Sequence, residues 1–275
     1  MTSGRRCNLC LRRRQMTEDH LFPSGLVSPG QRRVTKILHT VDPNFRGRQG
    51  SFLAQNGVKK ATLCADCNNR VLGIELDPYL IAAYSAASSA LESARFPVVG
   101  DLKLFNINLN RVARAVAGHM MALDDKPLAR HTMARQLRRF VLQEQCGLDP
   151  SLRFLMWLYP FKRQGMLKDL HHAEFGKPYE PMWISAFKTY PLAFAFSTEI
   201  QNPNYRLAGV IDLTRWVTTD VEQHFNIRVP ARPIVDSNWP FAPHPNGAIF
   251  TGQNASVTTA PFKKAPKQQA SSQNR

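Results

Sequence analysis

The chain has 275 residues, 43% of them hydrophobic, with a formal net charge of +16 and a pI near 10.1. That apolar share excludes global disorder and supports a sizeable core in one large or two modest domains. No apolar run reaches the roughly 20 residues of a bilayer crossing, and the start MTSGRRCNLCLRRR lacks the apolar stretch of a secretory signal. The expectation is a cytoplasmic protein without membrane contact, whose charge favours a polyanionic partner, nucleic acid first.

In chain order, the first 70 residues are polar, basic and rich in turn formers. They hold 13 Lys and Arg against four Asp and Glu, a net +9 in about a quarter of the chain. Two Cys-x-x-Cys pairs bracket the segment, Cys7/Cys10 and Cys64/Cys67. Without a signal peptide, such pairs read as a metal site before they read as disulfides. Four thiolates suit a tetrahedral structural zinc with no open position, so the zinc would hold a loop-rich scaffold and not act as catalyst. The fifth cysteine, Cys146, reads as an ordinary buried thiol.

The 53 residues between the pairs exceed the roughly 15–20 of a simple zinc ribbon, which implies that something is built there. Inside lies TEDHLFP, with Asp19 and His20 adjacent on a strand-like segment. Neighbours on a strand point to opposite faces, so the two share one site only where the strand twists or a metal sits at its edge.

A helix is expected from Asn68-Asn69 through VLGIEL, and a second from Pro78 to about Arg95. Pro97 and Gly100 mark a boundary, dividing residues 1–97 from an accessory domain over 98–250. In that domain NLNRVARAVAGHMMALDD has apolar residues at helical spacing, and HTMARQLRRFVLQEQ continues as helix. RFLMWLYPF, PMWISAFKTYPLAFAFST and RLAGVIDLTRWV are rich in strand formers. His171-His172 reads as a solvated loop pair and His119 as a surface or satisfied core residue. Residues 251–275 read as a disordered basic tail.

Taken together, Cys7, Cys10, Asp19, His20, Cys64, Cys67 and Asn68 resemble the HNH, or ββα-metal, nuclease superfamily. The nearest pattern is its zinc-stapled branch, typified by phage recombination endonuclease VII, and the resemblance covers about residues 5–75. Two knuckles flanking an Asp-His pair, with Asn directly after the last cysteine, are specific as a combination; either half alone is weak. The resemblance implies an α+β fold, with a zinc-stapled nuclease module followed by a mixed helix/strand C-terminal domain. It implies that Asp19 and Asn68 hold a catalytic Mg²⁺ or Mn²⁺, and that His20 is the general base for a water attacking a phosphodiester. Asn69 replaces Asn68 if the helix starts one position later. Many members carry a middle Asn just before the second knuckle; here the stretch is VKKATLC, and Asn56 lies further upstream.

Arg12, Arg13, Arg32, Arg33, Arg46, Arg48, Lys59 and Lys60 are expected to meet the nucleic-acid backbone. DNA is favoured over RNA, with restriction or antiphage defence as the setting by analogy. The C-terminal domain offers a route to a homodimer or a partner protein. The alternatives are a non-catalytic zinc-ribbon DNA-binding regulator and an RNA-directed nuclease.

Overall fold

The structure, a computed structural model, describes residues 4–26, 30–35, 51–93, 100–129, 131–174, 176, 178–241, 247–250 and 256–262. Arg46, Arg48, the expected boundary at Pro97 and the tail beyond 262 lie outside these residues.

Strands β1 (Met16–His20) and β4 (Lys59–Cys64) pair antiparallel, with Met16 opposite Cys64 and His20 opposite Lys59. Thr17 faces Leu63 but Asp19 faces Lys60, so β4 carries one extra residue between them. A bulge of this kind adds twist and re-aims the side chains beside it. From Cys64 the chain turns directly into α1 (Asp66–Leu76), wound as a π-helix, which continues into α2 (Asp77–Glu92). Pro78 stands in the first turn of α2, at the junction where the winding passes from π to α. Helix α1 thus starts two residues earlier than its expected start at Asn68.

Further on, β5 (Asp101–Ile107) pairs with β11 (Phe225–Pro230). Helix α3 (Leu109–Ala122) is capped by Asn108, whose side chain accepts from the Arg111 N–H. It is buried along almost its whole length, and α4 (Thr132–Leu142) packs beside it. The remaining strands are β2 (Arg32–Thr35), β3 (Ser51–Ala54), β6 (Arg153–Leu158), β7 (Gln164–Glu174), β8 (Met182–Thr189), β9 (Leu192–Ser197), β10 (Val210–Asp212), β12 (Gly247–Phe250) and β13 (Ser256–Pro261). They form one antiparallel sheet in the order β10-β6-β9-β8-β7-β13-β2-β3, with β12 also on β7.

The mixed α+β character is as expected, but three expectations change. First, β2 and β3 of the N-terminal segment join the sheet of the C-terminal part through β13 and β7. One apolar core runs from Cys7 and Leu9 through Leu72 and Val112 to Phe194 and Val257, so residues on both sides of position 97 share it. Second, residues 256–261 of the expected disordered tail form β13, a strand inside that sheet. Third, His171 and His172 stand on β7 opposite Trp183 and Met182, not in a loop. His172 is buried, and its Nε2 donates to the Pro240 carbonyl at 2.6 Å. Most of β7 is buried, and the Pro240 carbonyl takes the place of water at His172 Nε2. No helix among the described residues is long and apolar enough to cross a membrane.

Candidate metal centre and active site

Cys7 and Cys10 lie in a tight turn. The Leu11 N–H donates to the Cys7 carbonyl at 2.9 Å and the Cys7 N–H to the Arg12 carbonyl at 3.0 Å. Leu11 takes a φ of 61°, which lets the chain fold back within the knuckle. Cys64 ends β4, and Cys67 follows in the first turn of α1. The four sulfurs lie within 4.8 Å of one another and form no disulfide. A tetrahedral ion with sulfur ligands at about 2.3 Å has sulfur–sulfur edges of about 3.8 Å. Cys10 Sγ and Cys64 Sγ are 3.8 Å apart. The Cys7 thiol is lowered to about 4, first by a hydrogen bond from Cys67, whose own thiol is pushed up; burial pushes Cys10 up. Sulfurs that compete in this way for one negative charge are what a cation resolves. This cluster can therefore hold a structural metal ion.

The knuckle is also tied to α3. Asn8 is buried: its backbone N–H donates to the Thr62 carbonyl at 2.9 Å, and its side-chain amide donates to the Met121 and Asp124 carbonyls at 3.1 and 2.6 Å. The Thr62 hydroxyl donates to the Ala122 carbonyl at 2.7 Å, and Lys60 Nζ to that of Leu123. A helix leaves its last carbonyls without intrahelical partners, and here the metal-binding segment receives them.

Thr17 and Asp19 share one face of β1 and look toward α1. The Asn68 carboxamide lies beside both, 3.1 Å from Thr17 Oγ1 and 3.0 Å from each carboxylate oxygen of Asp19. With Nδ2 on the carboxylate, the amide donates to both oxygens of Asp19 and its Oδ1 accepts from Thr17. With Nδ2 donating to Thr17, Oδ1 instead faces two carboxylate oxygens, three acceptors with no donor among them. The second orientation needs a cation or a proton on Asp19 between the oxygens, and the first needs neither. Adjacent oxygen ligands of an octahedral ion, each at about 2.1 Å, are about 3.0 Å apart. Asn69 is exposed, so of the two asparagines Asn68 is the one at Asp19. Burial raises the Asp19 carboxyl above its ordinary value, against the opposing charges of His119 and His20.

His20 points to the Asn56–Gly57 turn, with Nε2 3.0 Å from the Asn56 carbonyl. A carbonyl can only accept, so Nε2 carries the proton and Nδ1 keeps its lone pair. Thus Asn56 holds the imidazole through its backbone and not its side chain. Gly57 has a φ of 74°, and a Cβ there would stand 3.4 Å from His20 Cδ2.

Two neighbours of Asp19 escaped the sequence reading. His119 Nε2 donates to Asp77 Oδ1 at 2.8 Å, and His119 is only 1% exposed. Burial acts to lower His119, but the charges of Asp77 and then Asp19 raise it above its ordinary value. Asp77 lies nine positions after Asn68. A π-helix has roughly 4.4 residues per turn, so the pair lies two turns apart on one face. At the 3.6 residues of an α-helix they would lie on opposite faces. The usual helical period therefore hides Asp77, and an isolated His inside an apolar helix gives no sequence signal.

The expected basic interface divides. Arg12, Arg13, Arg33 and Lys59 are exposed, joined by Arg14. Arg32 is buried, its Nε donating to Thr259 Oγ1 at 2.7 Å and its Nη2 to the Lys162 carbonyl at 3.0 Å. It serves sheet packing and is corrected out of the interface. Lys60 is also removed, because it binds the end of α3 and pairs with Asp125 at 2.8 Å. Arg138, on α4, is likewise buried and donates to the Leu128 and Ala129 carbonyls. Cys146 is half-buried and not buried as expected. Its Sγ accepts from Arg139 Nε at 3.2 Å, and its thiol donates to Gln143 Oε1 at 3.0 Å. The chain matches no family model, no curated protein and no solved structure.

Proposed function

We propose that the protein is a divalent-metal-dependent endonuclease of the HNH type that hydrolyses DNA, with zinc in the four-cysteine cluster as scaffold. One observation carries this reading: the Asn68 carboxamide sits 3.0 Å from both oxygens of Asp19, the residue that precedes His20 in the chain. Asp19 and Asn68 would hold Mg²⁺ or Mn²⁺ as hard oxygen donors. Such an ion supplies charge stabilisation at the phosphate and the leaving oxygen.

The chain's own residues perform the rest. Asn56 holds His20 in the tautomer whose Nδ1 is free to take a proton from water. Thr17 fixes the Asn68 amide from the side away from Asp19. Exposed Arg12, Arg13, Arg14, Arg33 and Lys59 supply positive charge for the backbone of the nucleic acid without reading its bases.

The test is nicking of supercoiled plasmid with Mg²⁺ or Mn²⁺, beside His20→Ala. The expected outcome is cutting by the parent and a loss of about 10²–10⁴-fold in the variant, the usual weight of a general base. Equal cutting by both, or none with either ion, overturns the reading. Binding of plasmid without cutting would instead indicate a regulator, and cutting confined to a parallel RNA substrate would redirect the activity to RNA.

A further inference from the structure

Behind Asp19 lies a pair of residues from beyond the segment that resembles the nuclease family. Asp77 follows the last residue of α1, and His119 comes from α3. The His119 ring lies 6.2 Å from that of Phe187, which in turn lies 5.1 Å from Phe22, three residues past Asp19. On the other side, Asp77 shares a face of α1 with Asn68. The contacts Asp19–Asn68, Asp77–His119 and His119–Phe187–Phe22 thus link β1, α1, α3 and β8 around one junction, where α3 packs against both α1 and β8.

Two details bear on how α3 meets this region. Gly118 precedes His119, and a Cβ at that position would collide with the Leu72 side chain of α1, so the glycine makes room for that leucine where the helices cross. The Asp77 carboxylate can only accept, so His119 Nε2 carries the proton of that bond. The other nitrogen, Nδ1, is buried and has no hydrogen-bond partner. A buried imidazole nitrogen without a partner calls for a reason. Asp19 is close enough for its charge and that of His119 to act on each other.

We propose that Asp77 and His119 are a positioning pair for the Asp19 carboxylate and for the water around a divalent ion held there, so that α3 completes the site. The inference rests on the ion-binding reading of Asp19 and Asn68. A hard ion with few protein ligands keeps several of its waters, and these need fixed partners. A carboxylate that takes the N–H of an imidazole fixes its tautomer and ring orientation, as carboxylates do for histidines at metal sites. Asp77 sets the ring, and Nδ1 is the group left to meet water.

The experiment is Mn²⁺ titration of the full-length, zinc-loaded protein, with free Mn²⁺ followed by electron paramagnetic resonance. Wild type is expected to bind one Mn²⁺ that Asp19→Asn loses. Asp77→Asn and His119→Gln should each weaken this Mn²⁺ roughly ten- to a hundred-fold, as outer-shell changes do. Because they act as a unit, the double variant should lose no more than either alone. Melting curves without Mn²⁺ identify folded variants; if His119→Gln fails to fold, Asp77→Asn, at a site 15% exposed, carries the test alone. Unchanged Mn²⁺ affinity in folded Asp77→Asn overturns this inference while leaving the ion site intact. Absence of any Asp19-dependent Mn²⁺ in wild type overturns the ion reading itself, and this inference with it.

Discussion

At the scale of single residues, the candidate site depends on conformations that few residue types can adopt. Gly57 holds a φ of 74° beside the His20 ring. Alanine there meets left-handed strain of about 1–2 kcal/mol and a methyl group in contact with the imidazole. Gly57→Ala should therefore lose stability by about that amount in urea and also lower plasmid nicking by more than the stability change accounts for. Stability loss with unchanged nicking would mean that the turn does not set the imidazole. The pairing of Asn68 with Asp19 was expected only through the family resemblance, and the fold brings the two side chains to 3.0 Å. Asp77 was not legible, since its face depends on the winding of α1.

At the scale of elements, two junctions hold the site. Helices α1 and α3 cross at Gly118 and Leu72. Gly118→Ala overpacks this crossing and should cost about 1–3 kcal/mol, less when Leu72→Ala is added to relieve it. Additive losses in chemical melts of the two single variants and the double variant would contradict a direct clash. The second junction joins the four-cysteine knuckle to the end of α3 through Asn8, Lys60 and Thr62. Cys64→Ser should abolish the bound metal measured by mass spectrometry, and the damage should reach α3. Its sign would be faster amide exchange near Met121 and Ala122, whose carbonyls the knuckle and β4 receive. Metal loss with unaltered exchange in α3 would show that the two are independent.

At the scale of the whole molecule, the metal cluster, α3 and the sheet form one linked body. Asn8 binds the Asp124 carbonyl, and the Asp124 carboxylate binds Lys168, a buried residue of β7. Buried polar groups of this sheet also make stability depend on pH. Burial lowers His172 below its ordinary value of 6.5. As pH falls past 6.5 the unfolded chain takes up a proton there and the folded chain does not, so stability is lost down to the folded value. Burial lowers His171 likewise, while the raised value of His119 acts oppositely, its stabilisation being lost as pH rises. His172→Gln should therefore lower stability at pH 7 yet flatten its decline below pH 6.5, read from urea melts across pH. An unchanged slope would remove His172 as a source of that decline.

The sequence by itself determined what is local. Cysteine spacing, the Asp-His pair, the Asn after Cys67 and the apolar periods of α2, α3 and α4 are all set within a few neighbouring residues. So were the aromatic and β-branched runs that became β6, β8, β9 and β10. Tertiary structure alone decided which charges remain free. Arg32 lies in the same basic run as Arg33, yet it bonds Thr259 across 227 residues while Arg33 stays exposed. The same holds for β13 in a polar tail and for His119 beside Asp77. Burial and pairing across such distances depend on the free energy of the assembled core, which no short window of sequence contains.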